Sequence, residues 1–258
     1  MASAIIGGLI QQGVPTSMVT VVEPFEAARS ALRDNFGIEA LPAANEALQR
    51  SECIVWAVKP QTFKEAAASA APHTRQALHL SVAAGITTDS IAAWTGTGRI
   101  ARAMPNTPAL VGKGMTGLYA RPEVDARGKA LIEQVIGTTG QFIWVDQEEQ
   151  LDAVTAISGS GPAYVFLFLE AMTQAGLDMG LTAGQAYHLA VATFQGGAEL
   201  AARSSDSAEV LRQRVTSKGG TTHAAITHMQ DTHVPEHFIA AMRKAEARAK
   251  ELAAEFGR

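Results

Sequence analysis

Cys53-Ile54-Val55-Trp56-Ala57-Val58, halted by Lys59-Pro60, is the stretch whose reading decides the fold. An unbroken apolar run with β-branched and aromatic members reads as a strand buried on both faces, as in a parallel sheet covered by helices on either side. Upstream, Val19-Thr20-Val21-Val22 reads as another strand, and residues 24–35 as a helix with Pro24 in its first turn and Gly37 at its end. Downstream, Ala77-Leu78-His79-Leu80-Ser81-Val82 and Arg99-Ile100-Ala101-Arg102-Ala103 are further strands, separated by a Thr-capped helix at residues 87–94. Residues 126–136 form a helical pattern and residues 141–145 a last strand. This alternation predicts an α/β, doubly wound, mostly parallel sheet of the Rossmann type.

After Asp146 no convincing strand appears. Residues 147–157, 162–175, 183–203 and 235–256 read as helices, and shorter ones flank residues 215–222. The predicted division is residues 1–146, a dinucleotide-binding domain that is N-terminally incomplete, and residues 147–258, an all-helical domain. Residues 163–175 are apolar on nearly every side. A helix without a wet face must be surrounded, and a bundle this small would struggle to do that alone, so a second subunit is expected to cover it.

The chain has 258 residues, 47% hydrophobic and 18% charged, with a formal net charge of −4. That is ordinary for a globular protein, and with no basic stripe it argues against nucleic acid as a partner. The single cysteine, Cys53, excludes a disulfide framework and reads as inert core. Met1-Ala2-Ser3-Ala4 lacks the basic region of a signal peptide. The apolar stretch 153–169 is interrupted by Ser158-Gly159-Ser160-Gly161-Pro162, which argues against a membrane span. The expected location is cytoplasmic.

Four segments carry the chemistry: Ala57-Val58-Lys59-Pro60-Gln61, Ala103-Met104-Pro105-Asn106-Thr107-Pro108, Ile157-Ser158-Gly159-Ser160-Gly161-Pro162-Ala163 and Val215-Thr216-Ser217-Lys218-Gly219-Gly220-Thr221-Thr222. In the last, two glycines abut a helix start. Unpaired N–H groups and the helix dipole make such a turn ready to hold a carboxylate. The plainer alternative, a glycine turn with a threonine N-cap, stays open. Ligands of open α/β sheets sit at the carboxyl ends of strands, where Lys59 and the small residues Val82, Ala83 and Ala84 fall. Glu23 follows the strand at residues 19–22, where an acid bonds a ribose 2′-hydroxyl and repels a 2′-phosphate, which favours NADH.

In this order and at these separations, the segments resemble the pyrroline-5-carboxylate reductase family, over essentially the whole chain. The resemblance implies reduction of 1-pyrroline-5-carboxylate to L-proline by hydride transfer from NADPH or NADH, in the last step of proline biosynthesis. It implies dimers with intertwined helical domains, often assembled into rings such as a decamer. It places the cofactor ribose and pyrophosphate against Ala57, Val58, Lys59 and Pro60, the nicotinamide at Val82, Ala83 and Ala84, and the adenosine ribose near Asn45. The stiff loop holding Asn106 is expected to form a wall of the cofactor cleft. The resemblance also implies that the substrate carboxylate meets Gly219, Gly220, Thr221 and Thr222, with help from Ser217, and that Thr222 hydrogen-bonds the ring nitrogen. Ser160 either lines the pocket or simply breaks a helix.

A nucleotide-binding domain normally opens with strand, glycine-rich turn and helix. Here residues 1–9 already read as the helix, and Gly7-Gly8, inside it, reads as close helix–sheet packing. The family's first strand and Gly-x-Gly-Asn turn would precede Met1, so the expectation is a natural polypeptide that starts upstream. His223, His228, His233 and His237 lack the spacing of a metal set. Trp56, Trp94 and Trp144 read as packing, and Glu148, Glu149 and Asp152 as wet helix faces. Two other classes remain. One is another NAD(P)-dependent imine or β-hydroxyacid reductase, which would want a lysine or aspartate where Ser158 and Ser160 stand. The other is a catalytically silent oligomeric relative.

Overall fold

The computed structural model describes residues 1–257. The chain divides into two compact units, one of Met1–Gly161 plus the residues from Lys244 onward, the other Pro162–Arg243. The compact units thus part at residue 161, not at the strand-to-helix change near residue 146.

The first unit is built on a five-stranded sheet, β1 (Cys53–Trp56), β2 (Leu78–Ser81), β3 (Ile100–Met104), β4 (Gly114–Ala120) and β5 (Gly140–Trp144), in that spatial order. β1, β2 and β3 are parallel, β4 runs antiparallel to β3, and β5 is parallel to β4. Helices α1 (Ala2–Gln11) and α2 (Glu26–Phe36) precede β1, while α3 (Pro60–Thr74), α4 (Thr88–Thr95) and α5 (Ala126–Gly137) follow β1, β2 and β4. The period-2 geometry of strands sorts side chains between two cores. Leu78, Leu80, Ala101 and Ala103 pack with Ile5 of α1 and with Ile132 and Ile136 of α5. Trp56 and Ile100 pack with Phe63, Ala67 and Ile91 of α3 and α4. Gly8 of α1 does mark a close approach, but against Thr138 at the end of α5 rather than the sheet: a Cβ there would lie 2.6 Å from the threonine Oγ1.

Two strand expectations need correction, and one strand was not expected. Residues 19–22 do not join the sheet; Val22 makes one parallel bridge to Leu41, with Leu41 N–H donating to Val21 O and Glu23 N–H to Leu41 O, both at 2.8 Å. β1 is only partly buried over its first three residues, whereas β2 is buried throughout, because among the described residues β1 has a strand partner on one side only. β4 escaped the sequence reading because Gly114 and Gly117 interrupt its pattern. Gly117 is required, since a Cβ there would come within 2.8 Å of Val154.

α6 (Gln150–Val154) continues through a π turn (Thr155–Gly159) into α7 (Gly161–Asp178). The run Gln150–Asp178 is long and apolar enough to cross a membrane by length and composition alone. Its π turn, however, is tied to the sheet, since Ser158 Oγ donates to Met115 O at 3.2 Å.

The second unit contains most of α7, then α8 (Ala183–Arg203), α9 (Ala208–Arg214), α10 (Thr221–Asp231) and the start of α11 (Val234–Phe256). α8 opens with a capping box of Thr182 and Gln185. Within this unit only Leu169, Gly176, Ala186 and Ala190 are buried. On α7, Phe166 is 57% exposed and Leu167 62% exposed. An apolar helix this bare in a single chain is the feature that a second subunit would cover.

Candidate active site

The turn ahead of α10 is built by local chemistry. Gly220 N–H donates to Ser217 O at 3.0 Å, and Gly219, at φ +76°, takes the left-handed position that such a turn demands. Gly220 is the N-cap, and no side chain caps this helix end. The threonine cap of the plainer reading is therefore absent. The first intrahelical bond is Ala224 N–H to Gly220 O at 3.1 Å. That leaves the amides of Thr221, Thr222 and His223 without an intrahelical acceptor. Ser217, Lys218, Gly219, Thr221 and Thr222 are exposed, Gly220 is half-buried, and α10 buries no residue at all.

Ser160 lies elsewhere. Its N–H closes the π turn on Thr155 O at 2.8 Å. Asn106 is a clamp: its Oδ1 accepts from Met115 N–H at 3.0 Å, and its Nδ2 donates to Ser158 O at 3.2 Å and Ser158 Oγ at 3.1 Å. It fastens the loop after β3 to the π turn and to β4.

The residues expected at the cofactor leave the sheet at the carboxyl ends of β1 and β2. Trp56 pairs with Ser81, so Ala57, Val58, Lys59 and Pro60 exit beside Val82, Ala83 and Ala84. Lys59 is exposed and caps α3 without a side-chain bond. Ser81 Oγ accepts from Ala83 N–H at 3.3 Å and shapes the turn. Asn45 caps a short 3-10 helix through Ala47 N–H at 2.9 Å, leaving its Nδ2 without a protein partner among the described residues. One oxygen of Glu23 accepts from Phe25 N–H at 2.9 Å. Arg29, missed in the sequence, donates to Glu23 O at 2.9 Å and Pro24 O at 2.8 Å, so a guanidinium does stand beside this loop. Small side chains at the strand ends, an open helix N-terminus at α3 and a partly free carboxylate suit a dinucleotide.

The sequence reading also missed a partly buried ion pair. Glu148 was expected on a wet face, yet it is 17% exposed and its Oε1 accepts from Arg102 Nη1 at 2.7 Å, with Arg102 9% exposed. The same carboxylate accepts from Thr88 N–H at 2.7 Å and Thr88 Oγ1 at 2.5 Å. Neighbouring Asp152 has its pKa raised by burial, against the opposing pull of Arg102 and Lys250. Burial pushes the Cys53 thiol up to about 12, which makes it inert at neutral pH. Among the described residues no cluster of His, Cys, Asp or Glu has the makings of a metal site.

Residues 148–252 match the family described as pyrroline-5-carboxylate reductase dimerisation, and residues 1–85 that of NADP oxidoreductase, coenzyme F420-dependent. The chain is 40% identical to the pyrroline-5-carboxylate reductase of Pseudomonas aeruginosa, across 100% of this chain and 95% of that one. The chain belongs to the pyrroline-5-carboxylate reductase family. A solved pyrroline-5-carboxylate reductase from Coxiella burnetii superposes with a TM-score of 0.90 at 37% identity, covering 98% of this chain and 94% of that one. The pyrroline carboxylate reductase of Plasmodium falciparum, solved with NADP bound, gives 0.83 at 26% identity, covering 98% and 96%. Membership of this reductase family accounts for the Rossmann-like sheet unit followed by helices.

Proposed function

We propose that this chain reduces 1-pyrroline-5-carboxylate to L-proline, closing proline biosynthesis, with NAD(P)H as the reductant. Bound NAD(P)H supplies the hydride that reaches the C=N carbon. The chain's own residues bind and orient. Glu23 and Asn45 hold the adenosine ribose, and Ala57, Val58, Lys59 and Pro60 line the ribose and pyrophosphate. Val82, Ala83 and Ala84 give the nicotinamide a wall of small side chains, and Asn106 keeps the neighbouring loop rigid. The amides of Gly219, Gly220, Thr221 and Thr222, with the Ser217 hydroxyl, hold the substrate carboxylate, and Thr222 Oγ1 orients the ring nitrogen. Ser160 lines the pocket. An imine that binds already protonated needs no acid–base dyad, so placement is the main lever, and good orientation is worth several kcal/mol of barrier.

The observation that carries this reading is the uncapped, exposed helix start at Thr221, preceded by a glycine at φ +76°. A helix end without a capping side chain is open to an anion. The functional division we assign is residues 1–146 for the cofactor and residues 147–258 for substrate and assembly; the family match at 148–252 supports it. The bare apolar face of α7 supports a homodimer through the helical unit, and a ring such as a decamer is the larger assembly proposed, in the cytoplasm. The test is reduced-nicotinamide oxidation with 1-pyrroline-5-carboxylate. Thr222→Ala should lower turnover and leave cofactor affinity intact; unchanged kinetics would remove Thr222 from the site.

A further inference from the structure

The turn from Val82 to Thr88 is held from two sides. On one, the backbone of α11 abuts Gly85: a Cβ on Gly85 would lie 3.2 Å from the Leu252 backbone, and Ser90 Oγ donates to Gly257 O at 2.6 Å. On the other stands Glu148. Its two oxygens accept from the N–H and hydroxyl of Thr88, the first residue of α4, while Arg102 of β3 neutralises it. Thr88 is 2% exposed. A carboxylate this enclosed, with three donors converging from two elements, fixes geometry far better than a solvated ion pair does. It lies just before α6, so it locks the start of that helix to the turn.

We infer that Glu148, acting through Thr88 with Arg102 as its counter-ion, is a positioning residue for hydride transfer: it sets the Val82–Ala84 wall against which the nicotinamide lies. This rests on the cofactor placement proposed above. The carboxylate touches no reacting atom. Its effect is on where the wall stands, so it should appear in cofactor KM and in kcat and not in the affinity for the imino acid.

The experiment compares Glu148→Gln, Thr88→Val, their double variant and the conservative Thr88→Ser in the intact protein, with Ala84→Leu as a probe of cofactor placement. Glu148→Gln and Thr88→Val should each raise the KM for reduced nicotinamide about tenfold, the worth of a charge-assisted hydrogen bond. Both should also lower kcat, with the KM for 1-pyrroline-5-carboxylate held. Thr88→Ser should behave as wild type, and the double variant should be no worse than the worse single one. If Ala84→Leu weakens NADH binding by fluorescence titration while Glu148→Gln and Thr88→Val leave it unchanged, the positioning role is overturned. It is also overturned if the two effects multiply, or if both substrates weaken together with a collapse in melting temperature. If Ala84→Leu itself has no effect, the cofactor placement fails and the inference falls with it. Should Glu148→Gln not fold, Thr88→Val alone carries the comparison.

Discussion

Gly219→Ala should impair recognition of the imino acid without touching the cofactor. Gly219 sits at φ +76°, in the left-handed region. A Cβ there meets nothing within 4 Å, so the penalty is purely conformational. An alanine held left-handed costs roughly 1–2 kcal/mol. A penalty of that size makes the competent turn roughly five- to thirtyfold rarer. Gly220→Ala works by another route. Its φ of −83° suits any residue, but the new Cβ would lie 2.9 Å from Ser217 Oγ and 3.2 Å from Ser217 O. Ser217 must turn away, at a cost of about 0.5–1.5 kcal/mol for an off-rotamer side chain. The assay is steady-state oxidation of NADH and NADPH with 1-pyrroline-5-carboxylate varied. The expected order of loss in kcat/KM for the imino acid is Gly219→Ala, then Gly220→Ala, then Lys218→Ala near wild type, with cofactor KM constant throughout. If Gly219→Ala lowers melting temperature but leaves the imino-acid KM unchanged, the turn carries strain without carrying substrate, and the reasoning fails.

Further outcomes follow from other residues. Glu23→Ser should raise the ratio of NADPH to NADH efficiencies, because it removes the acid and leaves Arg29 bonded to the same loop; a ratio that stays or falls places the ribose elsewhere. Phe166→Glu, on the bare face of α7, should shift the species seen in sedimentation toward monomer; an unchanged distribution would put the interface on another surface. Buried His79 accepts from Trp56 Nε1 at 2.9 Å and donates through Nε2 to Thr74 O at 3.0 Å, so it is the neutral tautomer with the proton on Nε2. Burial lowers its pKa from the usual 6.5. The unfolded chain then takes up the proton first, so this stability is complete above pH 6.5 and drains away as pH falls through the lower folded-state value. Melting temperature of the wild type should fall on acidification below pH 6.5, and His79→Gln should flatten the slope; equal slopes would acquit the imidazole.

Much of the sheet unit was legible because its signals are local. Thr87 does cap α4, accepting from Ser90 N–H, and Gly37 does end α2 in the left-handed conformation. The run around Leu78 is a buried strand because both faces meet apolar layers. What escaped depended on distant partners. β4 carries glycines that weaken any strand signal, and the reason for one of them is Val154, far along the chain. Glu148 looks solvated among Asp146, Gln147 and Glu149, and only the fold brings Arg102 and Thr88 to it. The Asn106 amide bonds to Met115 and Ser158, a clamp that no spacing rule announces. For the glycine turn, the sequence left a threonine cap and an open anion site as rivals, and the backbone chose Gly220 as the cap.

The most direct measurement is a crystal structure of this chain with L-proline and oxidised cofactor bound. The account predicts carboxylate oxygens within hydrogen-bonding distance of the Thr221 and Thr222 amides, with Thr222 Oγ1 on the ring nitrogen. Proline bound with its carboxylate away from this turn, and the start of α10 facing only solvent, would contradict it.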